Sequence, residues 1–384
     1  MRLAGCAVAA ILIATSLLGQ AAIQPPQATP VASPPGADEV RRAMGIPSTD
    51  RLRGQQDVVG FASTPEQMRA AWEAAAAPPE AESFGPLPAP GVAGLICPHD
   101  DYLYAGRIYR RAVPLVTART VVLIGVFHRY RRFGANDVLV FDTARAWRAP
   151  DGEVPASPLR DEILAALPGG DAVVSDVMHD SEHSLEAIVY WLRHLRPDLE
   201  IVPVIVPAAR FERLQQLSQR FGGALGAAMR QRGWQLGRDV AVVLSTDGVH
   251  YGTDFRYTPY GGGGVDAYVK AGVRDRELLT GPLAGAVDAQ EVRQLYETFV
   301  DPKAPDTYRM TWCGRFSVPF GLLLLGDTAR ALGLPAPLGH PVAYGTSVGF
   351  PELPLRGSGL GETAPANLYH WVSYPAAAFT VAAR

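Results

Sequence analysis

Residues 120–128 read TVVLIGVFH, and this stretch decides the fold. The run from Thr120 to Val126 is continuously apolar and β-branched, without polar alternation. Such a strand is covered on both faces, as the inner strands of a helix-flanked sheet are. Working outward, comparable runs occur at 92–97 (VAGLIC), 201–206 (IVPVIV) and 240–245 (VAVVLS), with further strands predicted at 137–141, 342–349 and 371–381. Helical patterns fall between them, at 105–115, 157–167, 184–195, 210–231, 265–280, 289–298 and 317–333. The alternation predicts a single layered α/β/α domain with a mostly parallel or mixed central sheet. Thr64-Pro65-Glu66-Gln67 predicts a helix start, with a Thr cap, Pro in the first turn and Gln as capping-box partner. The Gly261–Gly264 run reads as a flap or surface loop. It lacks the lysine and the preceding strand that a phosphate-binding loop needs.

Composition narrows the function. The chain has 384 residues, 48% of them hydrophobic, which is ample for a core. Its 35 basic and 38 acidic residues give a net charge of −3, so no basic field exists to attract nucleic acid. Three cysteines rule out a disulfide-stapled scaffold. The N-terminus, MRLAGCAVAAILIATSLLGQAAIQPP, has a basic residue, a short apolar run and small residues before a cleavage point after Ala21. Residues 1–21 therefore read as a signal peptide of an exported protein, periplasmic or secreted, with no membrane span in the mature chain. Residues 22–52, rich in Pro and Ala at their start, read as a linker before a domain over 53–384.

Polar residues gather just after the strands. His99 follows 92–97, His128 follows 120–126, and 240–245 runs into Thr246-Asp247-Gly248-Val249-His250. Ligands of open α/β sheets bind at the carboxyl ends of strands, so three histidines converge on one rim. Asp180-Ser181-Glu182-His183-Ser184 opens a helix that Ser181 or Ser184 is expected to cap. Imidazole, thiolate and carboxylate are the donors that Zn or Fe(II) takes. No HExxH or CxxC spacing is present, so residue types alone leave the chemistry open. His179, His194, His340 and His370 are read as packing or surface residues.

These residues also resemble a known family. VVGFASTPEQMRAAWEA, ICPHDDYLYAGRIYRRAV, VVLIGVFH, DSEHSLEAIVYWL, VAVVLSTDGVHYGTDFRYTPY, TWCGRFSVPFGLLLL and VSYPAAAFTV occur in the order found in the Memo family, also called AmmeMemoRadiSam system protein B. The resemblance implies a fold similar to class III extradiol dioxygenases and a mononuclear transition-metal site, Fe(II) first and Zn as the alternative. It implies His99, His128 and Cys313 as metal ligands, with Asp247 a further ligand or a supporting residue. His250, Asp247 and His183 would be the catalytic groups, His250 as acid or base.

Two functions follow from that resemblance: iron redox chemistry of dioxygenase type, or non-catalytic binding of a metal or peptide in the same pocket. A thiolate in place of a carboxylate ligand favours other redox chemistry or plain metal binding over ring cleavage. A cysteine hydrolase using Cys313 is a third reading, and a Cys97–Cys313 disulfide in an oxidising compartment would exclude a thiolate ligand. The sequence departs from the family pattern at PHDDY, where P-H-A-G-Y is usual, and at GVFH, where a Pro usually precedes the His. Asp100 and Asp101 read as solvated loop carboxylates or as extra donors beside His99. Loops 252–264 and 350–365 are candidates to cover the site.

Overall fold

A computed structural model describes residues 33–382. The signal-peptide reading lies outside these residues, and so does most of the Pro-rich stretch. Within the expected linker, Ala37–Ala43 forms a short helix (α1). Asp38 and Glu39 occupy its first turn and Arg41 and Arg42 its last, which suits the helix dipole, and Val40 and Met44 are buried. The linker reading does not hold over this half because two apolar side chains anchor it.

A mixed sheet forms the centre. Its strands are β1 (Gly94–Cys97), β2 (Thr120–Val126), β3 (Leu139–Phe141), β4 (Ala172–Val174), β5 (Glu200–Val206), β6 (Val240–Ser245), β7 (His250–Gly252), β8 (Gly285–Ala286), β9 (Leu338–Thr346) and β10 (His370–Thr380). The spatial order is β8-β9-β10-β1-β6-β2-β5-β3-β4, with β7 paired to β10. Strands β1, β6, β2 and β5 are mutually parallel, and β10 runs antiparallel to β1. All seven residues of β2 are buried, as its unbroken apolar pattern requires.

Helices cover both faces, giving the expected α/β/α layers. On one face α2 (Pro65–Ala74), α3 (Tyr102–Ala112) and α4 (Glu186–Leu195) pack together; on the other lie α5 (Phe211–Arg232) and α6 (Ser317–Ala331). Helix α6 sits so close to β6 that a Cβ on Gly321 would lie 2.0 Å from Leu244. Helix α2 starts as read: Thr64 Oγ1 accepts from Gln67 N at 3.3 Å, and Gln67 Oε1 accepts from Ser63 N at 2.7 Å. The Ser181/Ser184 capping expectation fails. Asp176–Asp180 is a separate short helix, α4 begins at Glu186 without a side-chain cap, and Ser184 Oγ donates instead to Val126 O at 2.8 Å. That hydroxyl fastens the start of α4 to the end of β2. No helix among the described residues is long and apolar enough to cross a membrane.

Candidate functional site

Three adjacent strand ends build the site. Strand β1 leads to His99, β2 to His128 and β6 to Asp247, and the parallel order β1-β6-β2 sets these ends side by side. The rings of His99 and His128 lie 5.2 Å apart by centroids. His183, from the turn before α4, completes a triangle at 5.8 Å from His99 and 5.2 Å from His128. The three imidazoles offer ligand atoms within 4.8 Å of one another; so do His99, Asp247 and Cys313. His99 belongs to both sets.

Hydrogen bonds decide which nitrogens are free. The Ser245 hydroxyl donates to Ser184 O, so its oxygen accepts from His99 Nδ1–H at 2.7 Å. The lone pair of His99 Nε2 is thereby left facing Cys313 Sγ at 3.6 Å and Asp247 Oδ2 at 3.4 Å. Likewise Glu182 Oε1 accepts from His128 Nδ1–H at 2.9 Å, leaving His128 Nε2 free. Glu182 also accepts from the backbone N–H groups of His128, His183 and Ser184, at 2.7, 2.9 and 2.8 Å. Burial alone would raise the Glu182 carboxyl, but His128, His183 and these hydrogen bonds hold it well below the usual range. A carboxylate that orients a histidine in this way is a usual support for a metal ligand. It also accounts for the missing Pro before His128: Phe127 is buried, and Glu182 fixes the turn.

Burial, and next the neighbouring His128 and His183, push His99 well below its ordinary value. Burial likewise lowers His183. Both are neutral donors at pH 7. Asp247 Oδ1 accepts from His99 N at 2.9 Å, while Asp247 N donates to Cys313 Sγ at 3.0 Å. Burial raises both Asp247 and Cys313 well above their usual values, which favours their protonated forms until a cation offsets it. This donor set fits a transition metal: two imidazoles with oriented lone pairs, a third with no ring hydrogen bond among the described residues, and a thiol and a carboxyl that lose protons to a cation.

The Cys313 loop is tied to β6. Gly314 N donates to Thr246 Oγ1 at 3.0 Å, and a Cβ on Gly314 would lie 2.4 Å from that oxygen, so only glycine fits. Cys97 and Cys313 are both free and buried, which leaves Cys313 available as a donor. His250 is held by its backbone and by Thr311. His250 Nδ1–H points at Gly248 O and Thr311 O, each at 3.1 Å, so His250 Nε2 carries the lone pair. Burial lowers its pKa, making a neutral base at pH 7.

His99, His128, His183, Asp247 and His250 line a cavity of about 640 Å³, together with Phe61, Asp100, Phe255, Thr363 and Trp371. Loops 252–264 and 350–365 therefore do reach the site, through Phe255 and Thr363, whereas Gly261–Gly264 leads into the helix Val265–Thr280 and is not part of the lining. The solvated reading of Asp100 and Asp101 is corrected. Asp101 is 2% exposed and accepts from Thr363 N at 2.6 Å, while Asp100 lines the cavity and accepts from Tyr374 OH at 2.9 Å. Burial, then Asp100, raises Asp101 to about 8.

Of the residues expected from sequence, His99, His128, His183, Asp247 and His250 share the cavity, and Cys313 lies against His99 and Asp247 behind it. The expected trio His99, His128 and Cys313 is not brought together as one set: His128 groups with His183, and Cys313 with Asp247. Ser245, Tyr374 and Thr311 were missed. Ser245 carried a usable signal, since a hydroxyl at the end of a wholly buried strand must find a partner.

The family model described as Memo-like protein matches residues 66–334, more than half of the chain. Similar curated proteins are described as MEMO1 family proteins. The one from Thermococcus onnurineus is 27% identical over 43% of this chain and 55% of its own length. The one from Archaeoglobus fulgidus is 30% identical over 42% and 56%, and the one from Methanothermobacter thermautotrophicus 29% identical over 44% and 58%. The chain thus spans about half the length of the curated relatives it matches.

Proposed function

Because the chain belongs to the Memo-like protein family, we propose that it is a metal-dependent protein acting on a small molecule held in the strand-end cavity. The observation that carries this reading is the pair of imidazoles, His99 and His128, each with Nδ1 committed to a fixed acceptor and Nε2 left free. His99, His128 and His183 would hold the ion, with the cavity side open to a ligand. A transition ion there, Fe(II) or Zn(II), supplies Lewis-acid polarisation of a bound oxygen and, if it is iron, one-electron chemistry. His250 Nε2 takes a proton from the bound molecule, and the Gly248 and Thr311 carbonyls stabilise the imidazolium that results. Phe255 packs edge-on to His250 at 5.0 Å and keeps water from that ring.

A second ligand set is favoured by one contact: the Asp247 N–H donated to Cys313 Sγ at 3.0 Å supports a thiolate, so that His99, Asp247 and Cys313 would hold the ion. Metal analysis of protein purified without a chelating tag tests the first claim. About one equivalent, lost in His99→Ala/His128→Ala, is expected. No metal in either protein after anaerobic reconstitution would refute it and leave a binding protein that works without an ion. Cobalt substitution separates the two sets, because a near-ultraviolet sulfur-to-metal band requires Cys313. Residues 1–21 support an exported location, which N-terminal sequencing of the mature protein checks.

A further inference from the structure

The cavity is lined by four aspartates, Asp57, Asp100, Asp101 and Asp247, and by no lysine or arginine among the described residues. Elsewhere many carboxylates are matched to arginine, as in Arg276–Glu82 and Arg131–Asp306. Two of the four are turned to internal partners, Asp101 to Thr363 and Asp247 to His99. The other two are half-buried in the wall and form no ion pair among the described residues. Asp57 Oδ1 accepts from Val59 N and Gly60 N at 2.8 and 3.1 Å, while its Oδ2 has no hydrogen-bond partner among the described residues. Asp100 Oδ1 accepts from Asp101 N at 2.7 Å and Oδ2 from Tyr374 OH, so each oxygen keeps a second lone pair. Both residues are fixed in place before any ligand arrives.

The remaining wall combines the aromatic rings of Phe61, Phe255 and Trp371 with imidazoles and with the polar side chains of Gln56, Ser347 and Thr363. Trp371 is fully buried, and its indole N–H has no acceptor among the described residues. Two carboxylates without a lysine or arginine beside them in a walled cavity repel phosphates and carboxylates and attract an ammonium group. The half-buried ring of Phe255 offers an aromatic contact to such a molecule.

We propose that this cavity selects a small organic cation, a protonated amine on an aromatic or apolar body, with Asp100 and Asp57 holding the ammonium group. The proposal rests on the cavity being the working site and names its substrate class. It does not depend on which ion the imidazoles hold.

Calorimetry with three probes of similar shape tests it: 2-phenylethylamine, 2-phenylethanol and phenylacetate. Each is titrated at pH 7 into chelator-treated protein and into protein with one equivalent of Zn(II), whose metal content is measured on the same samples. The amine is expected to bind at least about tenfold more tightly than the alcohol in both forms, and phenylacetate most weakly. Asp100→Asn and Asp57→Asn should each weaken the amine by about tenfold and leave the alcohol unchanged. Three outcomes overturn the proposal: phenylacetate binding as well as the amine, no amine binding at millimolar concentration, or amine binding that needs Zn(II) and ignores both Asn variants. The last outcome would mean coordination to the ion in place of recognition by carboxylates. Failure of the metal reading shows separately, as absent metal with amine selectivity intact.

Discussion

Replacing Glu182 by glutamine tests whether the imidazole cluster is built for a cation. Glu182 Oε1 accepts three donors, His128 Nδ1–H, His183 N–H and Ser184 N–H, and Oε2 accepts His128 N–H. A glutamine amide must place its oxygen at the Oε1 position, because an NH₂ there would face three donors. Its NH₂ group then faces the His128 N–H, which loses its acceptor. Leaving that part-buried donor unsatisfied costs about 1 kcal/mol. His128 Nδ1–H now bonds a neutral oxygen, so its Nε2 becomes a weaker donor, and metal affinity should fall by about 10–100-fold. Urea unfolding of the chelator-treated variant reads the first quantity, and competition titration with Zn(II) reads the second. A variant with an unfolding free energy within about 0.5 kcal/mol of wild type and unchanged Zn(II) affinity would refute the role given to Glu182.

Gly314→Ala puts a methyl group 2.4 Å from Thr246 Oγ1 and should cost about 1–3 kcal/mol in urea unfolding, with loss of any sulfur-to-cobalt band. Arg53→Met strips the buried Glu186 of its 2.7 Å ion pair and should cost about 3–5 kcal/mol, read by the same assay. Asp275 accepts from Trp312 Nε1 at 2.5 Å and Tyr344 OH at 3.1 Å, and burial raises its pKa above the ordinary carboxyl value despite these bonds. The folded state therefore holds this proton more tightly than the unfolded state. Its contribution is fully present below the unfolded carboxyl value and is lost as pH rises through the raised folded one. The unfolding free energy of Asp275→Asn relative to wild type, measured from pH 4 to 8, should accordingly improve as pH rises; a flat difference would contradict the assignment.

The central strands were readable because a strand buried on both faces leaves an unbroken apolar run. Strand β2 spans Thr120–Val126 as expected, and β6 spans Val240–Ser245. Strand ends then gave His99, His128 and His250 without any long-range information. What could not be read is which neighbour each donor meets. Cys313 lies close to Asp247 only because Gly314 docks on Thr246, a contact across more than sixty residues of sequence. The two aspartates of PHDDY are adjacent in sequence yet have opposite fates, Asp101 turned inward to Thr363 and Asp100 left on the cavity wall. Spacing cannot separate such neighbours, because the outcome depends on a loop some 260 residues later. The helix at Ala37–Ala43 was hidden for a related reason, since its two buried residues acquire meaning only once there is a body to pack on.

The cavity divides along the chain in a way that bears on how relatives can differ. His99, His128, His183, Asp247, His250 and Cys313 all fall within the family-matched residues 66–334. Much of the enclosing wall does not: Gln56–Val59 and Phe61 precede that span, and Ser347, Thr363 and Trp371 follow it. The candidate donors thus lie inside the family-matched span, and much of the enclosing wall lies outside it. Exchanging the two flanking segments between family members would change what enters the site while leaving every candidate donor in place. In this chain the first segment is pinned by Gln56 N and Asp57 N to the Glu186 carboxylate, at 2.6 and 3.0 Å, four residues beyond the one that orients His128. A transplanted wall would have to keep that attachment, and it marks the natural seam for recombination.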